Sequence, residues 1–267
     1  TAREHLKEDL ADLKEQKLTL LKAAGYPADY MELRYDCPDC QDTGYVNGKR
    51  CHCFERQRLN ILYAQSNIEA VLKEENFDHL RFDFYDDTEK VPQLGMTERA
   101  YMDVVVRQCR EFAQQYPDKG NSILFTGGTG VGKTFLTNCI AKALIDRCIS
   151  VIYLSSNELF EILSKYKFGR DGEEDVEESY RYILDCDMLI IDDLGTELNN
   201  SFVSSQLFYC INERIGRKKG TIISTNLSMG MLKDTYSDRV TSRIMSNYRV
   251  IPLYGADIRM KKRAARL

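Results

Sequence analysis

Apolar residues recur along this chain in two rhythms. From about residue 97 onward, short apolar runs alternate with stretches whose apolar positions fall three or four residues apart. The runs are Ile123 to Phe125, Val151 to Leu154, Met188 to Ile191, Thr221 to Thr225 and Arg249 to Leu253. Each is short, rich in β-branched or aromatic residues and bounded by turn formers, so each predicts a buried strand. Tyr101, Val105, Cys109, Phe112 and Tyr116 predict a helix over 97–116, and Leu136, Ile140 and Leu144 predict one after the first strand. Leu159, Ile162, Leu163 and Tyr166 predict a third from about 157 to 170, capped by Ser155 to Asn157, and Leu207, Phe208, Ile211 and Ile215 a fourth from about 202 to 216. Residues 171–178 read as an acidic loop. Strands alternating with helices predict an α/β fold around a parallel sheet, with Pro252 suited to a strand end or edge.

Upstream the rhythm changes. Leu6, Leu10, Leu13, Leu20 and Leu21 make an apolar stripe on a charged helix over residues 3–24, closed by Gly25-Tyr26-Pro27. The stripe suits either packing on the next segment or a partner helix. Leu59, Ile61, Leu62, Ile68, Val71 and Leu72 predict a helix over 54–76, and Phe77 to Tyr85 reads as an aromatic connector. The predicted division is therefore residues 1–76, an N-terminal helix, small module and linker helix, and 77–267, the α/β domain.

The chemistry is densest after the first strand. Gly127-x-x-x-x-Gly132-Lys133-Thr134 lies between a strand and a helix, the setting a phosphate-binding loop requires. Glycines let backbone N–H groups turn onto phosphate oxygens, and the helix N-terminus adds a positive dipole end. The expected nucleotide-binding set is Gly127, Gly128, Thr129, Gly130, Val131, Gly132, Lys133, Thr134 and Phe135. Lys133 reaches the β and γ phosphates, and Thr134 binds Mg²⁺. Asp192 and Asp193 close the third strand. Mg²⁺ keeps several waters and few protein ligands, so Asp192 is assigned to the metal and Asp193 to the attacking water. Asn226 ends the fourth strand, where it can bond the γ-phosphate or that water.

Composition refines this. The chain has 267 residues and net charge −4, so no global basic field announces nucleic acid, although a local basic groove stays compatible. No apolar run approaches a membrane span, and no signal peptide precedes the first helix, so the expected location is cytoplasmic. The chain begins at Thr1 rather than Met, as a fragment would. Of nine cysteines, Cys109, Cys139, Cys148, Cys186 and Cys210 are scattered in apolar contexts and read as reduced core residues. The other four form Cys37-x-x-Cys40 and Cys51-His-Cys53, with turns at Gly44 and Asn47-Gly48 between. In a reducing compartment this spacing favours a structural Zn²⁺ with a closed four-thiolate shell, with His52 as a replacement for Cys51 or Cys53.

Taken together, these segments resemble a known family. The loop Gly-Gly-Thr-Gly-Val-Gly-Lys-Thr, then Leu189-Ile-Ile-Asp-Asp-Leu-Gly195, Ile223-Ser-Thr-Asn226, Asp238-Arg-Val-Thr-Ser-Arg-Ile244 and Gly255-Ala-Asp-Ile-Arg259 match in order the AAA+ ATPases of the DnaC/DnaI helicase-loader group. The cysteine segment resembles the zinc-bearing N-terminal part of the DnaI-like branch. The resemblance implies an AAA+ P-loop NTPase with a central parallel sheet flanked by helices, without a full lid domain, preceded by a small zinc-binding module. It makes Asn226 the first sensor, Arg243 an arginine finger acting on a neighbouring subunit's γ-phosphate with Arg239 as rival, and Arg259 a second sensor. Asp193 departs from the Glu common at its position, and the shorter side chain implies slow or partner-stimulated hydrolysis. Initiator-type relatives line a pore with a helix like 157–170, where Lys165, Lys167 and Arg170 could meet phosphates and Tyr166 and Phe168 could stack on bases; the basic tail from Arg259 to Arg266 is a second candidate.

The implied function is an ATP-dependent loader of a replicative hexameric helicase onto single-stranded DNA. It would use ATP, Mg²⁺ and Zn²⁺ and self-assemble through the ATP site, with no membrane partner. Two alternatives are an ATPase regulating transposition, as in the IstB-like near relatives, and a nucleotide-gated adaptor with negligible hydrolysis.

Overall fold

The computed structural model describes residues 2–31, 33, 35–51, 53–54, 68–117, 121–169 and 174–264. The chain divides into two compact units, residues 1–55 and 56–267. His52, Leu59, Ile61, Leu62, Arg170 and Arg266, named above, lie outside the described residues.

In the first unit, helix α1 spans Ala2–Ala23. Its leucine stripe divides: Leu21 is buried, whereas Leu6, Leu10, Leu13 and Leu20 are exposed. A hairpin follows, with β1 (Tyr45–Val46) antiparallel to β2 (Lys49–Arg50). Asn47 and Gly48 both have positive φ, 52° and 76°, the backbone a two-residue type I′ turn needs. Residues placed on either side of the hairpin bring Cys37, Cys40, Cys51 and Cys53 together.

The second unit carries a short antiparallel hairpin, β3 (Lys90–Val91) and β4 (Met96–Thr97), and is built on a five-stranded sheet, β5 (Ser122–Gly127), β6 (Val151–Ser155), β7 (Met188–Leu194), β8 (Gly220–Thr225) and β9 (Arg249–Leu253). The spatial order is β6-β7-β8-β5-β9, and every pairing is parallel. The strands alternate their faces, as the two-residue period demands. Ile123, Phe125, Met188, Ile190 and Ile222 face one apolar layer with Met102, Val105, Phe112, Leu136 and Ile140. Leu124, Leu189, Ile191 and Ile223 face the other, with Leu159, Leu163, Leu207 and Ile211. Burial on both faces explains why the strands read as unbroken apolar runs. Pro252 sits in β9, the edge strand, where no ladder bond is lost.

The helices largely follow the predicted spacing. They are α2 (Ile68–Glu74), α3 (Glu98–Gln115), α4 (Lys133–Asp146), α5 (Ser156–Phe168), α6 (Glu174–Asp185), α7 (Ser201–Gly216), α8 (Met229–Tyr236), α9 (Asp238–Asn247) and α10 (Ile258–Ala264). Thr97 caps α3, and Ser155 caps α5 in a reciprocal box with Glu158. Two expectations change. Residues 174–178, read as acidic loop, open helix α6, because Tyr180, Ile183 and Leu184 continue a helical stripe that seals the core beneath the charges. Cys148 is exposed rather than core, since it occupies the turn that ends α4, with φ 63°.

The end of the sheet away from the phosphate loop is tied by one cation. Arg214 has no exposure, yet among the described residues no carboxylate accepts from it. Its guanidinium donates to Ile183 O at 2.6 Å, Cys186 O at 3.1 Å, Asp187 O at 3.4 Å and Thr221 Oγ1 at 3.1 Å, and also to Gly220 O. These oxygens belong to the C-terminus of α6, the link from α6 to β7 and the first residues of β8. Arg214→Ala would remove all of these bonds at once, leaving Asp187 O with the Gly220 amide and the Tyr116 hydroxyl as donors. The expected destabilisation in urea unfolding is about 3–5 kcal/mol, with nucleotide affinity of the remaining folded protein unchanged.

Candidate functional site: a phosphate-loop pocket and a four-cysteine cluster

Chain order reverses in the sheet at β5. From there the chain runs out to β6 and returns through β7 and β8, and β9 is added on the opposite side. Such a switch point leaves a crevice outside the carboxyl ends of the strands. Residues 127–132 cross it and lead into α4. Two glycines there hold backbone conformations and approaches that a side chain would strain. A Cβ on Gly127 (φ 144°) would lie 2.3 Å from Leu253 O, and one on Gly130 (φ 74°) would lie 1.9 Å from Asp257 Oδ1. The loop is held from beyond β9, where the Ile258 amide donates to Gly130 O at 3.0 Å.

Lys133, the first residue of α4, is buried. Its ammonium donates to Gly127 O at 2.8 Å, Gly128 O at 2.7 Å and Asn226 Oδ1 at 2.5 Å. Burial lowers its pKa, and Asp193 and Asp192 oppose that shift. Thr134 Oγ1 donates to Asp192 Oδ1 at 3.3 Å. Strand β7 carries a bulge between Ile191 and Leu194, and Asp193 has φ 54°. A bulge re-aims side chains that would otherwise alternate across the sheet. It lets Asp192 meet Thr134 while Asp193 lines the pocket. Burial and the neighbouring Asp192 raise the pKa of Asp193, and Lys133 opposes them.

The pocket measures about 210 Å³. Of the expected residues, Thr129, Gly130, Gly132, Lys133, Thr134, Phe135, Asp193, Asn226 and Arg259 line it. Gly127, Gly128 and Asp192 join through the bonds just described. Val131 turns into the core instead, at 2% exposure, and anchors the loop. Arg239 and Arg243 lie elsewhere. Both are exposed on α9, one turn apart, while the residues that follow each of them, Val240 and Ile244, are buried.

The remaining wall went unrecognised in the sequence. Glu75, His79, Leu80, Arg81, Phe84 and Tyr85, with Ile258, complete it, so the aromatic connector is a pocket wall. Burial pushes Tyr85 up to about 12. Lys261 Nζ donates to Phe84 O at 2.7 Å, which fastens the connector to α10. The aromatic run Phe77 to Tyr85 was the available signal, but apolar composition alone does not separate a pocket wall from core. Two further residues, Tyr153 and Ser224, contact Asp192.

The cysteine cluster occupies the first unit. All four sulfur atoms lie within 4.8 Å of one another. Cys37 Sγ and Cys51 Sγ are 3.7 Å apart, and Cys40 Sγ and Cys53 Sγ 3.3 Å. A tetrahedral zinc shell with Zn–S of about 2.3 Å sets sulfurs roughly 3.8 Å apart, so the donor set and its spacing fit. Burial acts to raise the Cys40 thiol, but bonds from Cys53 and the Gly44 amide outweigh it and bring the group to about 7.

Helix α5 presents Tyr166 and Phe168 as exposed rings. Tyr166 stacks on Tyr180, with centroids 3.7 Å apart, and Phe168 meets Phe202. Lys165 pairs with Glu161 at 2.7 Å, an exposed i,i+4 contact.

Comparison with known proteins now decides the family. The family described as IstB-like ATP binding protein matches residues 96–265. The chain belongs to this IstB-like family. The putative ATP-binding protein of insertion sequence IS232 from Bacillus thuringiensis subsp. berliner is 21% identical over 207 residues, covering 76% of this chain and 75% of that protein. The replicative helicase loader DnaC of Buchnera aphidicola subsp. Baizongia pistaciae (strain Bp) is 25% identical over 142 residues, covering 52% and 56%. The crystal structure of the DnaC helicase loader superposes with TM-score 0.54 at 22% identity, covering 69% of this chain and 99% of that one. Chromosomal replication initiators named DnaA also match, and the chain spans about a third of their length or less. The IstB-like chain thus belongs to an ATP-binding family and has the AAA+ fold expected from its motifs, and its first unit carries a cysteine cluster able to hold zinc. Among the described residues no helix is long and apolar enough to cross a membrane.

Proposed function

We propose that this chain is an ATP-dependent loader that helps place a replicative hexameric helicase on single-stranded DNA. The observation that carries the reading is the distribution of charge around the pocket. Lys133, Thr134, Asp192, Asp193 and Asn226 converge on it, while Arg239 and Arg243 stand exposed outside it. A site with its phosphate ligands at home and its candidate finger turned outward suits hydrolysis completed by a neighbouring copy. Lys133 and Asn226 hold the γ-phosphate, Asp193 orients the attacking water, and Thr134 and Asp192 hold Mg²⁺, which supplies charge neutralisation at the phosphates when bound. Arg259, on the pocket wall, contacts the nucleotide as second sensor. Cys37, Cys40, Cys51 and Cys53 hold one structural Zn²⁺, and the small module they shape recognises the helicase. Residues 1–76 are the recognition part and 77–267 the ATPase part.

A relative named as a helicase loader supports this reading. The IS232 relative, which aligns over three quarters of both chains, favours a second one, regulation of transposition. The discriminating experiment is capture by immobilised chain of a purified replicative helicase or a transposase, each with and without ATP. ATP-dependent retention of the helicase alone is expected; retention of the transposase alone would replace the first reading by the second. A chain that binds ATP and the helicase without measurable turnover would instead be a nucleotide-gated adaptor.

Lys133→Ala supplies the control. A charge-assisted hydrogen bond is worth about 1.5–3 kcal/mol, so ATP affinity should fall by roughly 100-fold while the melting temperature stays near that of the parent. Unchanged affinity by calorimetry would refute the phosphate-loop assignment.

A further inference from the structure

Asp192 is nearly buried and accepts from three hydroxyl groups. Thr134 Oγ1 lies 3.3 Å from Oδ1, Ser224 Oγ also donates to Oδ1, and Tyr153 Oη donates to Oδ2 at 2.7 Å. Only Thr134 belongs to the phosphate loop. Ser224 comes from β8 and Tyr153 from β6, the strands on either side of β7. Ser224 has a second task, because its Oγ accepts the Asp193 amide at 2.9 Å, inside the bulge. One carboxylate oxygen is therefore shared by two donors, and the other is held by the phenol alone among the described residues.

We propose that Tyr153 is a positioning residue for the metal carboxylate: its phenol fixes the rotation of Asp192 so that Oδ1 faces Thr134 and the Mg²⁺ site. The proposal rests on the assignment of Asp192 to Mg²⁺ made above. A carboxylate turns easily about its last bond. With Oδ2 bonded across to β6, that rotation is lost before any metal arrives, and less ordering remains at binding. The direction of that bond is fixed by its partner, since a carboxylate oxygen accepts and the Tyr153 hydroxyl donates. Register supports the pairing. Tyr153 lies opposite Ile190 and Ser155 opposite Asp192 in the parallel ladder, so a long side chain two residues earlier in β6 reaches the carboxylate.

The test is the Mg²⁺ dependence of nucleotide binding by the full chain, followed with a fluorescent ATP analogue. Tyr153→Phe keeps the ring and removes the hydroxyl. The Mg²⁺ concentration giving half of the metal-dependent gain in affinity should rise about 10-fold, the lower end of what loss of an outer partner costs a metal site. Affinity in EDTA should be unchanged. An unchanged Mg²⁺ requirement, or equal loss of affinity with EDTA and with Mg²⁺, would overturn the proposal in favour of a packing role. Asp192→Asn in the same titration separates the two layers. If it leaves the Mg²⁺ requirement unmoved, the metal assignment itself fails. If it raises that requirement and Tyr153→Phe does not, the assignment stands and the positioning role falls.

Discussion

Arg243→Ala is expected to leave ATP affinity intact and to lower hydrolysis by the assembled protein by about 10³-fold or more, the range a trans arginine supplies. The geometry sets this expectation. Val240 and Ile244 bury one side of α9, which leaves Arg239 and Arg243 on its outer face, away from the pocket of their own chain. Neither makes an ion pair among the described residues, so removing either should cost little stability. The measurement is turnover against protein concentration. Parent activity should rise steeply as copies associate, and the variant should remain at the dilute value. Mixing the variant with Lys133→Ala chains should restore part of the activity, because one contributes the loop and the other the finger. A variant whose dilute, monomeric activity falls by the same factor would exclude action in trans. Arg239→Ala in the same assay decides which of the two arginines acts.

Removal of zinc should have the second large effect, and it should be local. In the first unit the buried apolar residues described are Leu21, Cys37, Cys40 and Cys51. Three of the four are the proposed ligands, so little else there supplies a core. Binding of structural zinc to such modules is worth about 10–16 kcal/mol in apparent terms, and here it would be most of the folding energy. Metal analysis should return about one Zn per chain, from the closed four-ligand shell. Chelation, or Cys40→Ser with Cys51→Ser, should expose residues 35–54 to protease and raise their amide exchange. The larger unit, with an apolar layer on each face of its sheet, should keep its melting temperature and ATP affinity. A metal-free chain whose hairpin stays protected would refute the site. Loss of helicase capture on chelation, with ATP binding retained, is the companion result expected if the module is the recognition part.

Much of this architecture was legible from local pattern. Burial on both sheet faces makes each strand an apolar run, and Met188 to Ile191 is as readable in the sequence as in the sheet. The phosphate loop was legible because its glycines answer a backbone requirement at fixed spacing. Helix α6 was missed because Glu174, Asp175, Glu177 and Glu178 outweigh, in composition, the stripe that Tyr180, Ile183 and Leu184 continue. The connector over residues 77–85 was legible as apolar but not as a pocket wall, since apolar residues serve both purposes equally.

By itself the chain's order of residues determined which groups are chemical: Gly127 to Thr134, the Asp192-Asp193 pair, Asn226 and four closely spaced cysteines. These signals are local, and local spacing is what sequence records. Only the tertiary structure decided which of them meet. Strand order placed β8 beside both β5 and β7, which brings Asn226 to Lys133 and Ser224 to Asp192. A bulge in β7 let two adjacent aspartates serve one site, Asp192 at Thr134 and Asp193 on the pocket wall. The ladder with β6 delivered the Tyr153 phenol to the far side of Asp192. Those contacts join residues far apart in the chain, and their physical origin is the pairing of strands, which no single stretch of sequence encodes.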